Sequence, residues 1–250
     1  MSQEKRIELI KQLLEERQEL STKDIMQEFG ISQDTARRDI VLLTKRGEVK
    51  RTHGGILPLD FGRSVPNFQS RLARFTKQKT QIALAATKYF KPHHVYFVDS
   101  STILLKTCQN INMPLTVVTH SLDNCMALSE HNKVKVKVLS GTLNHENRYF
   151  YSNLAIEELQ NVVFDTAFIA ASGIDENGVY LLDQDDAQIV GMAARRARKV
   201  ILVAEHQKFI NKSYYRICPL DKISLFITDK APTPEQRKMF APDTKIIVTE

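Results

Sequence analysis

From Lys79 to the carboxyl end, short apolar runs alternate with segments of helical character, and this alternation is what most restricts the fold. Strands are predicted at Val95–Val98, Leu115–Thr119, Val134–Leu139, Thr166–Ala170, Lys199–Ala204, Leu225–Thr228 and Lys245–Val248. Helices are predicted over about Lys79–Phe90, Ser101–Asn110, Leu122–Ser129, Leu154–Gln160, Asp186–Arg198 and Thr233–Phe240. Strand, helix, strand in succession requires crossover connections, so the expected product is a Rossmann-like α/β domain around a largely parallel sheet. In such sheets ligands sit beyond the carboxyl ends of the strands. Those ends read Asp99-Ser100-Ser101-Thr102, Thr119-His120-Ser121, Ser140-Gly141-Thr142 and Ala171-Ser172-Gly173. Small hydroxyl and glycine residues at four successive strand ends point to a small-molecule site, although helix capping alone explains any one of them. No Gly-x-Gly-x-x-Gly is present, which argues against a dinucleotide.

The first 60 residues follow another rule. Ile7, Ile10, Leu13 and Leu14 recur at helical spacing, predicting a first helix over Gln3–Glu16. Ser21-Thr22-Lys23-Asp24 has the form of a helix start, with a hydroxyl for the free amides and a carboxylate at the positive end. Gly30 can end that helix in the left-handed conformation, and Ser32 can cap the next one, over Gln33–Arg46. Ala36, Ile40 and Leu43 then face inward, leaving Gln33, Asp34, Arg37 and Arg38 outward. Glu48 to Gly55 reads as a short basic hairpin. The pattern is a winged helix-turn-helix, whose second helix enters the major groove amino end first. Gln suits adenine, Arg suits guanine, and Thr35 can meet a thymine methyl or a phosphate.

Charge supports this reading. Residues 1–60 carry eleven Lys/Arg and eleven Asp/Glu, yet Thr35–Gly55 has six basic residues against Asp39 and Glu48. A local excess of that sign is what phosphates attract. The whole chain of 250 residues has a formal charge of +6, with 42% hydrophobic and 26% charged residues, so disordered and disulfide-scaffold classes are excluded. Three widely spaced cysteines predict free thiols in a reducing compartment. The adjacent His93 and His94 lack a ligand-pair spacing, so no metal and no cofactor is expected. No apolar run reaches the length of a membrane span and the start lacks a secretory core, which predicts a cytoplasmic protein with no membrane partner.

Ile31-Ser32-Gln33-Asp34-Thr35-Ala36-Arg37-Arg38-Asp39-Ile40, followed by Arg51-Thr52-His53-Gly54-Gly55, resembles the DNA-binding domain of DeoR-type transcriptional regulators. The family pattern is a Ser-x-x-Thr-x-Arg-Arg-Asp core with an Arg-x-His-Gly-Gly wing, and Ala36 replaces its more common Ile or Val. The resemblance implies a repressor of a carbohydrate or nucleoside operon that binds double-stranded operator DNA as a homo-oligomer. The expected DNA face is Thr22, Ser32, Gln33, Asp34, Thr35, Arg37, Arg38, Lys50, Arg51 and His53. It implies, in turn, an effector domain similar to sugar isomerases that takes a sugar phosphate. The effector residues expected are Asp99, Ser100, Ser101, Thr102, Thr119, His120, Ser121, Gly141 and Lys208. Several depart from the family pattern: Ser101 stands for Gly, Ile103 for Thr, His120 for Asn and Val190 for Lys. Asp183, Asp185 and Asp186 crowd the region and oppose a phosphate unless Lys208 or Arg216 compensates. The expected domains are 1–57 for DNA binding, 58–75 as linker, whose Arg63, Arg71 and Arg74 could reach DNA, and 76–250 for effector binding and oligomerisation. The competing reading is a sugar-phosphate isomerase or deaminase tethered to nucleic acid, using Asp99, Asp183, Glu205 and His120.

Overall fold

The computed structural model describes residues 1–17, 19–52, 54–58, 67–73 and 75–249. The chain divides into two compact units, Met1–Ser64 and Val65–Glu250.

The first unit has three helices, α1 (Gln3–Arg17), α2 (Thr22–Phe29) and α3 (Gln33–Lys45). Strands β1 (Leu20–Ser21), β2 (Val49–Arg51) and β3 (Gly55–Pro58) form an antiparallel sheet in the order β1-β3-β2. Ile7, Ile10 and Leu14 of α1, Ile25 of α2 and Ala36, Ile40 and Leu43 of α3 close one core with Val49 and Ile56. The turn chemistry is local. Ser21 Oγ accepts from Asp24 N at 3.0 Å while Asp24 Oδ2 accepts from Ser21 N at 2.9 Å, and Gly30 takes φ +60° to end α2. The hairpin runs further than the sequence predicts, because Val49 pairs with Pro58. Gly55 is required where β3 crosses β1: a Cβ there would lie 2.0 Å from the Leu20 carbonyl oxygen.

A buried ion pair locks α3 to α1. The fully buried Asp39 accepts from Arg6 Nε at 2.6 Å and Nη2 at 3.1 Å, and from Gln3 Nε2 at 2.9 Å. Removing one partner of such a pair leaves an uncompensated charge.

The second unit opens with α4 (Phe68–Ala73) and α5 (Lys77–Thr87), then alternates strand and helix. The main elements are β4 (Val95–Val98), α6 (Thr102–Cys108), β5 (Leu115–Thr119), α7 (Leu122–Ser129) and β6 (Val134–Val138). A hairpin, β7 (Thr142–Asn144) and β8 (Tyr149–Tyr151), precedes α8 (Asn153–Gln160) and β9 (Thr166–Ala170). Next come β10 (Gly173–Asp175), β11 (Gly178–Leu181), α9 (Gln184–Arg196), β12 (Val200–Val203) and β13 (Tyr215–Cys218). The chain finishes with β14 (Leu225–Thr228), α10 (Pro234–Lys238) and β15 (Lys245–Val248). Seven strands form one parallel sheet in the order β15-β14-β12-β9-β4-β5-β6. One face packs Ile82, Ala83, Leu104 and Leu128; the other packs Ala155, Leu159, Ile189 and Ala193. The winding reverses between β4 and β9, which is where a crevice opens in folds of this kind.

All seven predicted strands of the large sheet are present. The hairpin β7–β8 and the small sheet β10-β11-β13 were not predicted, since pieces of three or four residues show too little alternation. Within the expected linker, Phe68–Ala73 is helical and falls in the second unit, with Phe68 fully buried. Residues 59–66 and Arg74 lie outside the described residues, so the expectations for Arg63 and Arg74 fall there too.

Asp39→Ala should lower the unfolding free energy of the first unit by about 3–5 kcal/mol, read by urea denaturation of the full chain. A change below about 1 kcal/mol would show that the pair is not structural.

Candidate nucleic-acid interface and candidate anion site

In the first unit, Ser32 caps α3 by accepting from Thr35 N at 3.3 Å, and its hydroxyl lies 3.0 Å from Thr35 Oγ1. Gln33, Asp34, Arg37 and Arg38 are exposed along the first two turns of α3, and Thr35 is half-buried. Lys50 and Arg51 are exposed on β2. Among the described residues none of these four cations has an acidic partner. Arg46, by contrast, forms a two-bond pair with Glu4 at 2.7 and 3.1 Å, and Lys11 pairs with Glu48 at 2.7 Å. The basic stripe is therefore narrower than its composition: Arg46 is spent inside the unit, leaving the front of α3 and the wing. Thr22 has a structural task, its hydroxyl donating to the Gly54 carbonyl at 3.0 Å and so holding the wing against the start of α2. His53 lies outside the described residues.

In the second unit the strand ends assemble a buried polar hub. Asp99, at the end of β4, accepts from Ser100 N and, across the reversal point, from Ala170 N at 2.9 Å. Asn124 Nδ2 donates to the Asp99 carbonyl at 2.9 Å, and Thr119 Oγ1 donates to the Val98 carbonyl at 2.7 Å. Ser101 and Ser121 cap α6 and α7, accepting from Leu104 N and Asn124 N. Ser101, Thr119 and Ser121 thus build the frame, and Thr102 is buried beside them. Gly141 is exposed and takes φ +145°, because a Cβ would lie 2.1 Å from the Tyr151 carbonyl oxygen; no contact among the described residues ties it to the hub.

His120 is fully buried between Phe97 and Tyr149, with ring centroids 5.7 and 5.5 Å away. Its Nε2 lies 2.7 Å from Asp186 Oδ1 and 3.9 Å from Asp99 Oδ1, and its Nδ1 has no partner among the described residues. Burial and the Asp186 charge push the Asp99 carboxyl up to about 7, against His120 and the two backbone N–H groups. The ligand atoms of Asp99, His120 and Asp186 all fall within 4.8 Å of one another, a spacing a metal ion could use. Their own hydrogen bonds already engage them, and the neighbouring Arg71 guanidinium opposes a cation.

A cationic set adjoins the hub. Arg71 of α4 donates to Asn147 Oδ1 at 3.3 Å and is attracted by Asp186 and Asp99, although burial holds it below its ordinary value. Lys208 follows β12; burial lowers it to about 8, Glu205 acts the other way, and Arg71 and Lys79 lower it further. Lys79 of α5 lies 3.9 Å from Glu205 Oε2. The sequence reading found Lys208 but placed Arg71 in the linker and passed over Lys79. Arg216, considered as a compensating charge, instead donates to the Asn177 carbonyl at 3.4 Å. Asp183 accepts from Asp185 N and Asp186 N as the cap of α9, so the acidic group occupies that helix's positive end.

A family model for the DeoR C-terminal sensor domain matches residues 74–230, and one for the DeoR-like helix-turn-helix domain matches residues 6–60. The chain belongs to the DeoR family. It is similar to the transcriptional repressor GlcR of Bacillus subtilis, 29% identical over 93% of this chain and 90% of the relative. The regulator GlpR of Haloferax volcanii is 27% identical over 87% and 86% of the two chains. An L-fucose operon activator of Haemophilus influenzae is 28% identical over 90% and 92%. This DeoR-family protein is accordingly a transcriptional regulator and not an enzyme, and its helix-turn-helix belongs to a family that binds operator DNA. No helix among the described residues is long and apolar enough to cross a membrane.

The raised Asp99 value fixes the sign of a pH effect. A free carboxyl titrates near ~3.9, so protonated Asp99 contributes stability that is full below that pH and lost as pH rises through about 7. The unfolding free energy of the wild type minus that of Asp99→Asn should therefore fall between pH 4 and 7 and level off above. Urea unfolding at stepped pH measures it; a difference that rises over this range would contradict the buried-proton account.

Proposed function

We propose that this regulator is a repressor that reads operator DNA with α3 and the wing and is controlled by a phosphorylated small molecule held in the second unit. The division of labour is residues 1–57 for DNA and 76–250 for effector binding and self-association, joined through 58–75, whose helix α4 also contributes Arg71 to the effector site. The observation that carries the effector reading is the set of cations around Glu205 beyond the end of β12: Lys79 Nζ lies 3.9 Å from Glu205 Oε2, Lys208 is three residues further on, and Arg71 is close enough to act on the Lys208 charge. Glu205 offsets part of the charge of Lys79 and Lys208, and a phosphoryl group placed on the remaining positive excess forms short charge-assisted hydrogen bonds. Lys208 and Ser100 are the effector residues retained from the sequence reading; Asp99, Ser101, Thr102, Thr119 and Ser121 shape the floor, and Gly141 is set aside.

On the DNA side, Gln33, Asp34, Arg37 and Arg38 face base edges, with Ser32, Thr35, Lys50 and Arg51 on phosphates. Two copies would place two such helices in successive major grooves about 34–36 Å apart, so the regulator acts as a homo-oligomer, in the cytoplasm where its operator lies. The repressor sign rests on the likeness to GlcR, and the activator among the relatives makes that sign a matter for direct assay.

Fluorescence anisotropy of the full chain on its promoter DNA should show specific binding that weakens steeply with salt. Arg38→Ala should cost about 1–3 kcal/mol and relax selectivity at one base pair. Unchanged affinity and selectivity in that variant would remove Arg38 from base reading.

A further inference from the structure

Asp186 is the member of the buried trio that reaches outward. His120 is fully enclosed and Asp99 nearly so, whereas 12% of the Asp186 side chain is exposed. Its Oδ1 is engaged by His120 Nε2 at 2.7 Å, while its Oδ2 accepts no hydrogen bond from any described residue. The orphaned Nδ1 of His120 determines the proton's place. A buried N–H without an acceptor costs more than a bare ring nitrogen, so the imidazole carries its proton on Nε2 and donates it to Asp186. The buried ring is packed between Phe97, on which it stacks, and Tyr149, which is tilted against it by 57°. Asp186 is thereby an acceptor with one oxygen left over, and the Arg71 guanidinium is near enough to be attracted by its charge.

The surrounding charges restrict what that oxygen can meet. Asp99 and Asp183 lie on the acidic side, Tyr149 covers His120, and Arg71 followed by Lys208 lies on the cationic side. A phosphoryl oxygen is repelled by Asp186, and a hydroxyl donor is not. A ligand with an anionic end and a hydroxylated carbon chain matches the change of sign across the site.

We propose that Asp186, positioned by His120, is a specificity-determining residue that accepts a hydrogen bond from a hydroxyl of the ligand whose phosphoryl group sits on Arg71, Lys79 and Lys208. This rests on the anion-site reading above, and its test separates the two. Asp186→Asn removes a negative charge, so a plain anion should bind equally well or better. A ligand that donates to the carboxylate should bind worse. The ratio of sugar-phosphate to inorganic-phosphate affinity is then insensitive to general electrostatics and to modest loosening of the site.

Calorimetric titration of the full chain would use inorganic phosphate, glucose 6-phosphate, fructose 6-phosphate, ribose 5-phosphate and glucosamine 6-phosphate as probes. The wild type should prefer at least one sugar phosphate over phosphate, and Asp186→Asn should reduce that preference about tenfold or more, the size expected for a hydrogen bond to a charged group. His120→Phe, which keeps the stacked ring and loses the N–H, should reduce it in the same direction. If that variant fails to fold, Asp186→Ala serves in its place. A preference unchanged in the Asp186 variants, or no preference in the wild type, overturns the proposal. Lys208→Ala reports separately on the anion site: phosphate binding undiminished there overturns the anion-site reading, while the ratio in Asp186→Asn still decides the role of Asp186.

Discussion

The buried carboxylate of Asp99 joins the two halves of the large sheet where its winding reverses. One oxygen takes the amide of Ser100 at the end of β4 and the other takes the amide of Ala170 at the end of β9. Around it Asn124 Nδ2 donates to the Asp99 carbonyl and to Thr119 Oγ1, which also accepts from Ser121 N, closing the ends of β4 and β5. Several of the polar groups of the candidate site lie close to this junction. His120 leaves β5 beside it, Asp186 comes back from α9 to meet His120, and Arg71 reaches it from α4. Desolvation raises the cost of a second ionised carboxylate in so small a space, which makes the hub sensitive to any charge brought near it.

The two units use charge in opposite ways. In the first, ion pairs are internal devices: Asp39 with Arg6 and Glu4 with Arg46 hold helices together and remove those groups from recognition. The cations without acidic partners among the described residues lie on the front of α3 and on β2, the face proposed for DNA. In the second unit, acids and bases are interleaved: Asp99 and Asp186 lie with His120, and Glu205 lies among the cations, 3.9 Å from Lys79 and acting on Lys208. A surface presented to a regular polyanion needs one sign of charge, whereas a pocket for a small hydroxylated anion gains from both.

Features set by near neighbours were legible in the sequence. Ser21 with Asp24, the left-handed Gly30 and the Ser32 cap act within three residues, and they locate the helix-turn-helix to within a residue or two. The seven parallel strands were legible because fully buried strands read as unbroken apolar runs. What escaped is non-local. Arg6 meets Asp39 across 33 positions, His120 meets Asp186 across 66, Asp99 meets Ala170 across 71 and Arg71 meets Asn147 across 76. No periodicity encodes such meetings. Arg71 was misplaced because its neighbourhood reads as linker, and only the burial of Phe68 shows that α4 belongs to the sensor unit. Ser101 and Ser121, expected as ligand residues, also cap α6 and α7, and Gly141 makes a close backbone crossing, tasks that only the hydrogen bonds and contacts reveal.

The central claim is that a phosphorylated ligand on the Arg71, Lys79 and Lys208 cluster governs operator binding. The most direct measurement is anisotropy of the full chain bound to promoter DNA, titrated with sugar phosphates, for the wild type and Lys208→Ala. The account predicts that one phosphorylated sugar changes wild-type operator affinity by tenfold or more, that its unphosphorylated form does not, and that Lys208→Ala binds DNA normally but ignores the ligand. An equal response to the unphosphorylated sugar, or an undiminished response in Lys208→Ala, would contradict it.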